Sequence, residues 1–233
     1  MARDKIHQKY FVDEKEVPGV TTICGVLAKP ALVPWAWNLG KQGIDYRKYT
    51  DDKADIGTLA HAMIMAEISG KKLGDDFTAD FTKNQIDQAE NSLISTLEWL
   101  KGHKLEEFRL EHQVISRLGF GGTPDYYGKV DGRWTVLDFK TGKELYEDMV
   151  YQVAGYGVAV LEEELPVEQL MLVNVPRTED ENFMVRSLQS WGDYEEIFLS
   201  CLQIYQAKKR LKKVKDVVVS LNNINEKEKE NGR

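Results

Sequence analysis

An α/β fold is the class this sequence predicts: a mixed central β-sheet flanked by helices, with a helical N-terminal cap. Three observations carry that expectation. Up to about residue 104 the apolar residues recur mostly at helical spacing. From 108 to 140 the pattern becomes strand-like, broken by glycines and an Asp-Gly turn. After 146, a helix, a strongly apolar strand and a closing amphipathic helix follow one another.

In order along the chain, Tyr10–Val12 and Val17–Val20, parted by DEKE, predict a small N-terminal hairpin. Helical patterns follow over about 21–28, about 31–48 after the KPALVPW break, and about 51–69, closed by Ser69-Gly70. Ile86, Ala89, Leu93, Leu97 and Leu100 mark an amphipathic helix within 80–103. Phe108, Leu110, His112 and Val114, running through Leu118, read as one strand. Residues 120–130 and 133–140 read as two more, joined by VDGR with Asp131-Gly132 at its centre. A helix is expected at 146–164, a strand at 168–176, a short strand at 182–188 and a last helix at about 189–214. Beyond Val219 the sequence NNINEKEKENGR has no core face and reads as a polar, flexible tail. With no repeat and no linker, residues 1–219 read as one domain, 1–104 forming hairpin and cap and 105–215 the core.

Composition bounds the function. The 233 residues are 42% hydrophobic and 30% charged, and no apolar run approaches the roughly 20 residues a membrane span needs. The polar N-terminus lacks a secretory h-region, and Cys24 and Cys201 do not stand at metal-knuckle spacing, so a reducing, cytoplasmic setting is expected. Two cysteines cannot hold a four-cysteine iron–sulfur cluster. The net charge of −7 argues only weakly against a nucleic-acid substrate, since attraction depends on local patches and bound metal.

The chemistry concentrates in GGTPDYYGKVDGRWTVLDFKTGK, residues 121–143. On a strand, Asp138 and Lys140 share one face while Leu137 and Phe139 share the other. Asp125 lies seven residues before Gly132 and Asp138 six after it, so the two carboxylates can be cross-strand neighbours within reach of one cation. Mg²⁺ is typically held by one or two carboxylates with water and substrate phosphate. The bland reading of the same residues is a solvated Asp138–Lys140 salt bridge at a sheet edge. His61 taken alone reads more often as a satisfied helix histidine, and the bland reading of Glu111 is a surface strand acid. Trp35, Trp37 and Tyr46 could stack on an unpaired strand, though Trp35 and Trp37 in an apolar helix read first as core.

Several motifs together resemble the PD-(D/E)XK nuclease superfamily. They are TPD at 123–125, LDFKTGK at 137–143, Gln152-x-x-x-Tyr156 as in the RecB-like exonucleases, and Gly57-Thr58-x-x-His61. The opening PGVTTICGVLAKPALVPWAWNLGKQGID is similar to phage-type and mitochondrial-genome-maintenance-type members, and the likeness runs from about residue 18 to 160. The resemblance implies a restriction-endonuclease-like core and a metal-dependent DNA exonuclease, acting in recombination, repair or phage DNA processing. A structure-specific endonuclease or a non-catalytic nucleic-acid-binding module on the same fold would be the alternatives.

It further implies that His61, Asp125, Asp138 and the Phe139 carbonyl bind Mg²⁺ or Mn²⁺, as one ion or two. Glu111 would help with a second ion or orient water. Lys140 would activate water and offset phosphoryl charge, with Gln152 and Tyr156 orienting Lys140 or holding the strand. Substrate would be linear DNA ends, single- or double-stranded, and a single-strand annealing or recombinase protein a partner. Arg109, Lys129, Lys143 and the Lys208–Lys215 cluster are the basic residues available to line the approach.

Overall fold

The computed structural model describes residues 8–74, 76–212 and 214; the expected tail, 220–233, lies outside them. It opens with β1 (Tyr10–Val12) and β2 (Lys15–Val17), paired antiparallel. The second hairpin strand thus ends earlier than expected, because Gly19 starts the short helix α1 (Val20–Cys24).

Next come α2 (Leu32–Lys41) and α3 (Tyr46–Ser69). The single helix expected over 31–48 is interrupted at Gly43, whose φ of 73° leaves the helical region, and Asp45 restarts the chain by accepting a hydrogen bond from the Arg47 amide. Contrary to the core reading of its tryptophans, α2 buries no residue. Trp37 is 70% exposed, and Trp35 rests edge-on against Tyr49. Helix α4 (Lys83–Leu100) is opened by Thr82, which accepts from the Gln85 amide while the Gln85 side chain accepts from the Thr82 amide.

The two long strands expected at 108–118 and 120–130 each break. In their place stand β3 (Leu105–Leu110), β4 (Val114–Ser116), β5 (Phe120–Gly122) and β6 (Tyr126–Val130). Glu111, at φ 48°, ends β3, and β4 and β5 peel away as a separate two-stranded sheet. Then follow β7 (Arg133–Thr141), α5 (Glu147–Glu162), β8 (Gln169–Val175), β9 (Met184–Leu188) and α6 (Gly192–Leu211).

The central sheet has the order β3-β6-β7-β8-β9. Only β7 and β8 are parallel, and α5 is the crossover that joins them. Side-chain alternation splits the core into two layers. Tyr127, Val136, Leu170 and Leu172 pack toward α1, α5 and α6, while Tyr126, Leu137, Phe139, Met171 and Val173 pack toward α3 and α4. Burying one such large apolar side chain is worth about 1.5–3 kcal/mol, so both faces of the sheet must be covered. This is a restriction-endonuclease-like arrangement, a mixed sheet flanked by helices. No helix among the described residues is long and apolar enough to cross a membrane.

Candidate active site

The site grows from the end of β7. Leu137 and Phe139 are buried to 1% and 0% exposure against the α3–α4 layer, which turns Asp138 and Lys140 toward α5. Antiparallel pairing puts Tyr126 opposite Leu137, so Asp125, one residue before β6, comes level with Asp138. Its Oδ2 accepts a hydrogen bond from the Phe139 amide at 2.7 Å. Amide and carbonyl of one strand residue point to the same neighbour. The Phe139 carbonyl therefore also faces the Asp125 side, beyond the last residue with which β6 could pair it.

Three further side chains close in. His61 on α3 brings Nδ1 to 3.2 Å from Asp125 Oδ1. Lys140 Nζ lies 2.6 Å from Asp138 Oδ2 and donates to Gln152 Oε1 on α5 at 3.2 Å. One helical turn on from Gln152, Tyr156 packs its ring where a Cβ on Gly122 would come within 2.5 Å of it. Tyr156 also lines a cavity of about 480 Å³ with Tyr10, Val20, Thr21, Tyr205 and Lys209. Glu111 is tied in by its backbone, its amide donating to the Asp125 carbonyl at 2.9 Å, but its carboxylate is exposed and touches none of these groups.

Charge is balanced tightly here. Burial pushes the Asp138 pKa up, and Asp125 nearby adds to that against the pull of Lys140. Burial also acts on Asp125, yet His61, Lys140 and the Phe139 amide outweigh it and hold that carboxyl below its usual range. Lys140 and His61 both lose from burial and gain more from the acids, so both shift upward and Lys140 stays an ammonium.

As placed, no three His, Cys, Asp or Glu side chains among the described residues stand close enough to ligate one ion, since each acid is turned to its own basic partner. The donor set nonetheless fits a divalent cation. Asp138 Oδ2 is buried, with the Lys140 ammonium 2.6 Å away as its neighbouring charge. Carboxylate oxygens, a backbone carbonyl and an imidazole are hard or borderline donors suited to Mg²⁺ or Mn²⁺.

Of the basic residues singled out in the sequence, Lys209 lines the cavity beside Tyr156, and the others do not gather here. Lys129 pairs with Glu107 at 2.6 Å near the turn end of β6, away from Asp125, and Arg109 lies beside His112. Lys143 is exposed just past β7, and Lys213 and Lys215 lie outside the described residues. Three supports carried no readable signal. Asn174 donates to the Gly142 and Asn182 carbonyls, Thr141 abuts Gly57, and Tyr10 covers Gly121 while its hydroxyl meets Thr123 at 3.2 Å.

Residues 36–228 match the family profile of the PD-(D/E)XK nuclease superfamily. No curated protein matches the sequence. Among solved structures, the chain is similar to a candidate exonuclease of Eubacterium rectale, at 12% identity and a TM-score of 0.47, over 72% of this chain and 79% of that one. It is also similar to an alkaline exonuclease of Laribacter hongkongensis, at 11% identity and a TM-score of 0.37, over 85% of this chain and 95% of that one. The profile spans most of the chain, from α2 to beyond α6, and takes in the strand that carries Asp138 and Lys140: this chain belongs to the PD-(D/E)XK nuclease superfamily.

Proposed function

We propose that the chain is a metal-dependent DNA exonuclease whose working groups are Asp125, Asp138, Lys140, Gln152, Tyr156 and His61. The observation that carries this reading is the convergence of both acids, the lysine and Gln152 at one end of β7 in a member of a nuclease superfamily. The exonuclease assignment rests on the motifs Gly57-Thr58-x-x-His61 and Gln152-x-x-x-Tyr156. Residues 1–219 act as one nuclease domain in this reading.

Divalent metal is the general requirement of the superfamily. Asp125, Asp138, His61 and the Phe139 carbonyl would hold it, with Glu111 in reach only through a change of side-chain conformation. Bound there, Mg²⁺ or Mn²⁺ would supply Lewis acidity toward water and a phosphoryl oxygen.

The protein groups do the rest. Lys140, kept protonated by Asp138 and Asp125, is a fixed cation rather than a base, and it offsets the charge that develops on the phosphoryl oxygens during attack. Gln152 holds the ammonium away from a purely ionic seat on Asp138. His61 and the Phe139 amide keep Asp125 ionised. In-line attack of water on phosphorus breaks the bond to the sugar 3′ oxygen, leaving a 5′-phosphate and a 3′-hydroxyl.

The test is degradation of linear single- and double-stranded DNA labelled at either end, with Mg²⁺, Mn²⁺ or EDTA, beside Lys140→Ala. Metal-dependent loss of linear DNA with closed circles spared is expected, and the mutant should degrade it about 10²–10³-fold more slowly. Cut circles would make the protein an endonuclease. Binding without cleavage under any metal would make it a non-catalytic module.

A further inference from the structure

The cavity beside Tyr156 draws its walls from four parts of the chain: the β1–β2 hairpin, the start of α1, α5 and α6. Its volume is about 480 Å³, the size of a small-ligand site. Glycines seat two of its rings. A Cβ on Gly121 would lie 2.4 Å from the Tyr10 ring and one on Gly122 2.5 Å from the Tyr156 ring, so each ring fills the place that a β5 side chain would take. The Tyr10 hydroxyl meets Thr123 Oγ1 at 3.2 Å, two residues before Asp125, which ties the cavity wall to the segment that carries the acid.

On its buried side the cavity adjoins the site already described. Tyr156 stands one helical turn on from Gln152, is 7% exposed, and its hydroxyl makes no hydrogen bond among the described residues. Burial, then the charges of Asp138 and Asp125, push its pKa up, so it stays a phenol and an unspent donor. Toward solvent stand the half-buried Tyr205 and the exposed Lys209, set on one face of α6 by their four-residue spacing. Lys209 makes no ion pair among the described residues, whereas Lys9 on the hairpin side is paired with Glu16 at 3.3 Å.

A bare anion has no use for three aromatic rings, and an apolar ligand has none for an ammonium and a phenol donor. A nucleotide uses all of them. Its base offers a π-face on which rings stack whatever the sequence, and its phosphate is a partner for the ammonium. Room decides the strandedness. With two rings backed by glycines, a cavity of this volume takes one base with its sugar, not a base pair with its second backbone.

We propose that this cavity is a subsite for one unpaired nucleotide of the strand being cut, its base among Tyr10, Tyr156 and Tyr205 and its phosphate toward Lys209. The chain then works on single-stranded DNA, and on duplex ends only once they fray. The subsite rests on the nuclease reading.

The test is fluorescence anisotropy over a salt series, in EDTA and again in Ca²⁺, for the unaltered chain, Tyr205→Ala, Tyr205→Phe and Lys209→Ala. The probes are a single-stranded oligonucleotide, versions of it with one abasic site at successive positions from either end, and a blunt duplex crosslinked at its ends so that it cannot fray. The unaltered chain is expected to prefer the single strand to the crosslinked duplex by about tenfold or more, and to lose about tenfold when the abasic site falls at the held position, the size of one base–ring stack. Tyr205→Ala is expected to lose about tenfold on the intact single strand and to become indifferent to that position, while Tyr205→Phe keeps the affinity and the position effect. Lys209→Ala is expected to lower the slope of log K against log salt by about 0.7. Lys209 is exposed, so its result decides even where Tyr205→Ala melts early.

Equal binding of single strand and crosslinked duplex, a position effect that survives in Tyr205→Ala, or an unchanged salt slope in Lys209→Ala overturns the subsite and leaves the nuclease reading standing. If the unaltered chain neither binds nor cuts nucleic acid, the nuclease reading falls and takes the subsite with it.

Discussion

At the scale of single residues, the site separates groups that make charge from groups that place it. Lys140 is the first kind. Lys140→Ala is expected to lower kcat by about 10²–10³-fold, the size seen when one charge-stabilising donor is removed, while DNA affinity changes little. Single-turnover cleavage measured beside equilibrium binding checks this, and a mutant that cuts at the wild-type rate would remove Lys140 from the mechanism. Gln152 is the second kind, because it reaches the reaction only through its hydrogen bond to the ammonium. Gln152→Leu is therefore expected to reduce kcat about tenfold with KM nearly unchanged, and Gln152→Glu, which keeps an acceptor, to recover part of the loss. Equal losses in both variants would mean that Gln152 acts by packing. Gly122 belongs to neither kind, but it makes room for the motif tyrosine. Gly122→Ala would force its Cβ to 2.5 Å from the Tyr156 ring and is expected to destabilise by about 1–3 kcal/mol in denaturant titration.

Among the elements, the legible part was whatever a local pattern determines. The Asp131-Gly132 turn sets the β6–β7 register, and that register brings Asp125 level with Asp138 as the spacing implied. Alternation along LDFK put Leu137 and Phe139 in the core and left Asp138 and Lys140 together. The breaks at 111 and 123–125 were not legible. Glu111 adopts a left-handed conformation without a glycine, and its amide is satisfied by Asp125 rather than by a ladder. Nor was the exposure of α2, since an apolar stripe does not say what it will face. Two substitutions probe this level. Asp45→Ala removes the side-chain acceptor that starts α3 and is expected to cost about 1 kcal/mol. Trp37→Ser, on a helix with no buried residue, is expected to stay within about 0.5 kcal/mol of wild type. A large loss from Trp37→Ser would show that α2 is covered in solution.

Over the whole molecule, folding has set two buried acids level, each against a basic partner, and stability should reveal what a cation adds to them. Asp125, just before β6, lies level with Asp138 on β7, and the buried Asp138 is shifted upward, so ionising it is less favourable in the fold than in the unfolded chain. A cation that binds the folded chain and not the unfolded one stabilises by RT ln(1 + [L]/Kd), about 2.7 kcal/mol at a hundred times Kd. Mn²⁺ or Mg²⁺ is thus expected to raise Tm, EDTA to reverse the rise, and Asp138→Asn to abolish it, all measured by thermal melting without DNA. The effect should fade in acid. Protonation of Asp138 removes a ligand as pH falls through its raised value, which lies above the usual aspartate range, whereas Asp125, held low by His61, Lys140 and Phe139 against its burial, stays ionised further down. The metal-dependent part of Tm should therefore disappear at a pH where the metal-free fold still melts cooperatively. A metal shift that persists in Asp138→Asn would place the ion elsewhere on the chain. A shift absent from the unaltered protein would mean that the two acids need the substrate phosphate before they can hold a metal at all.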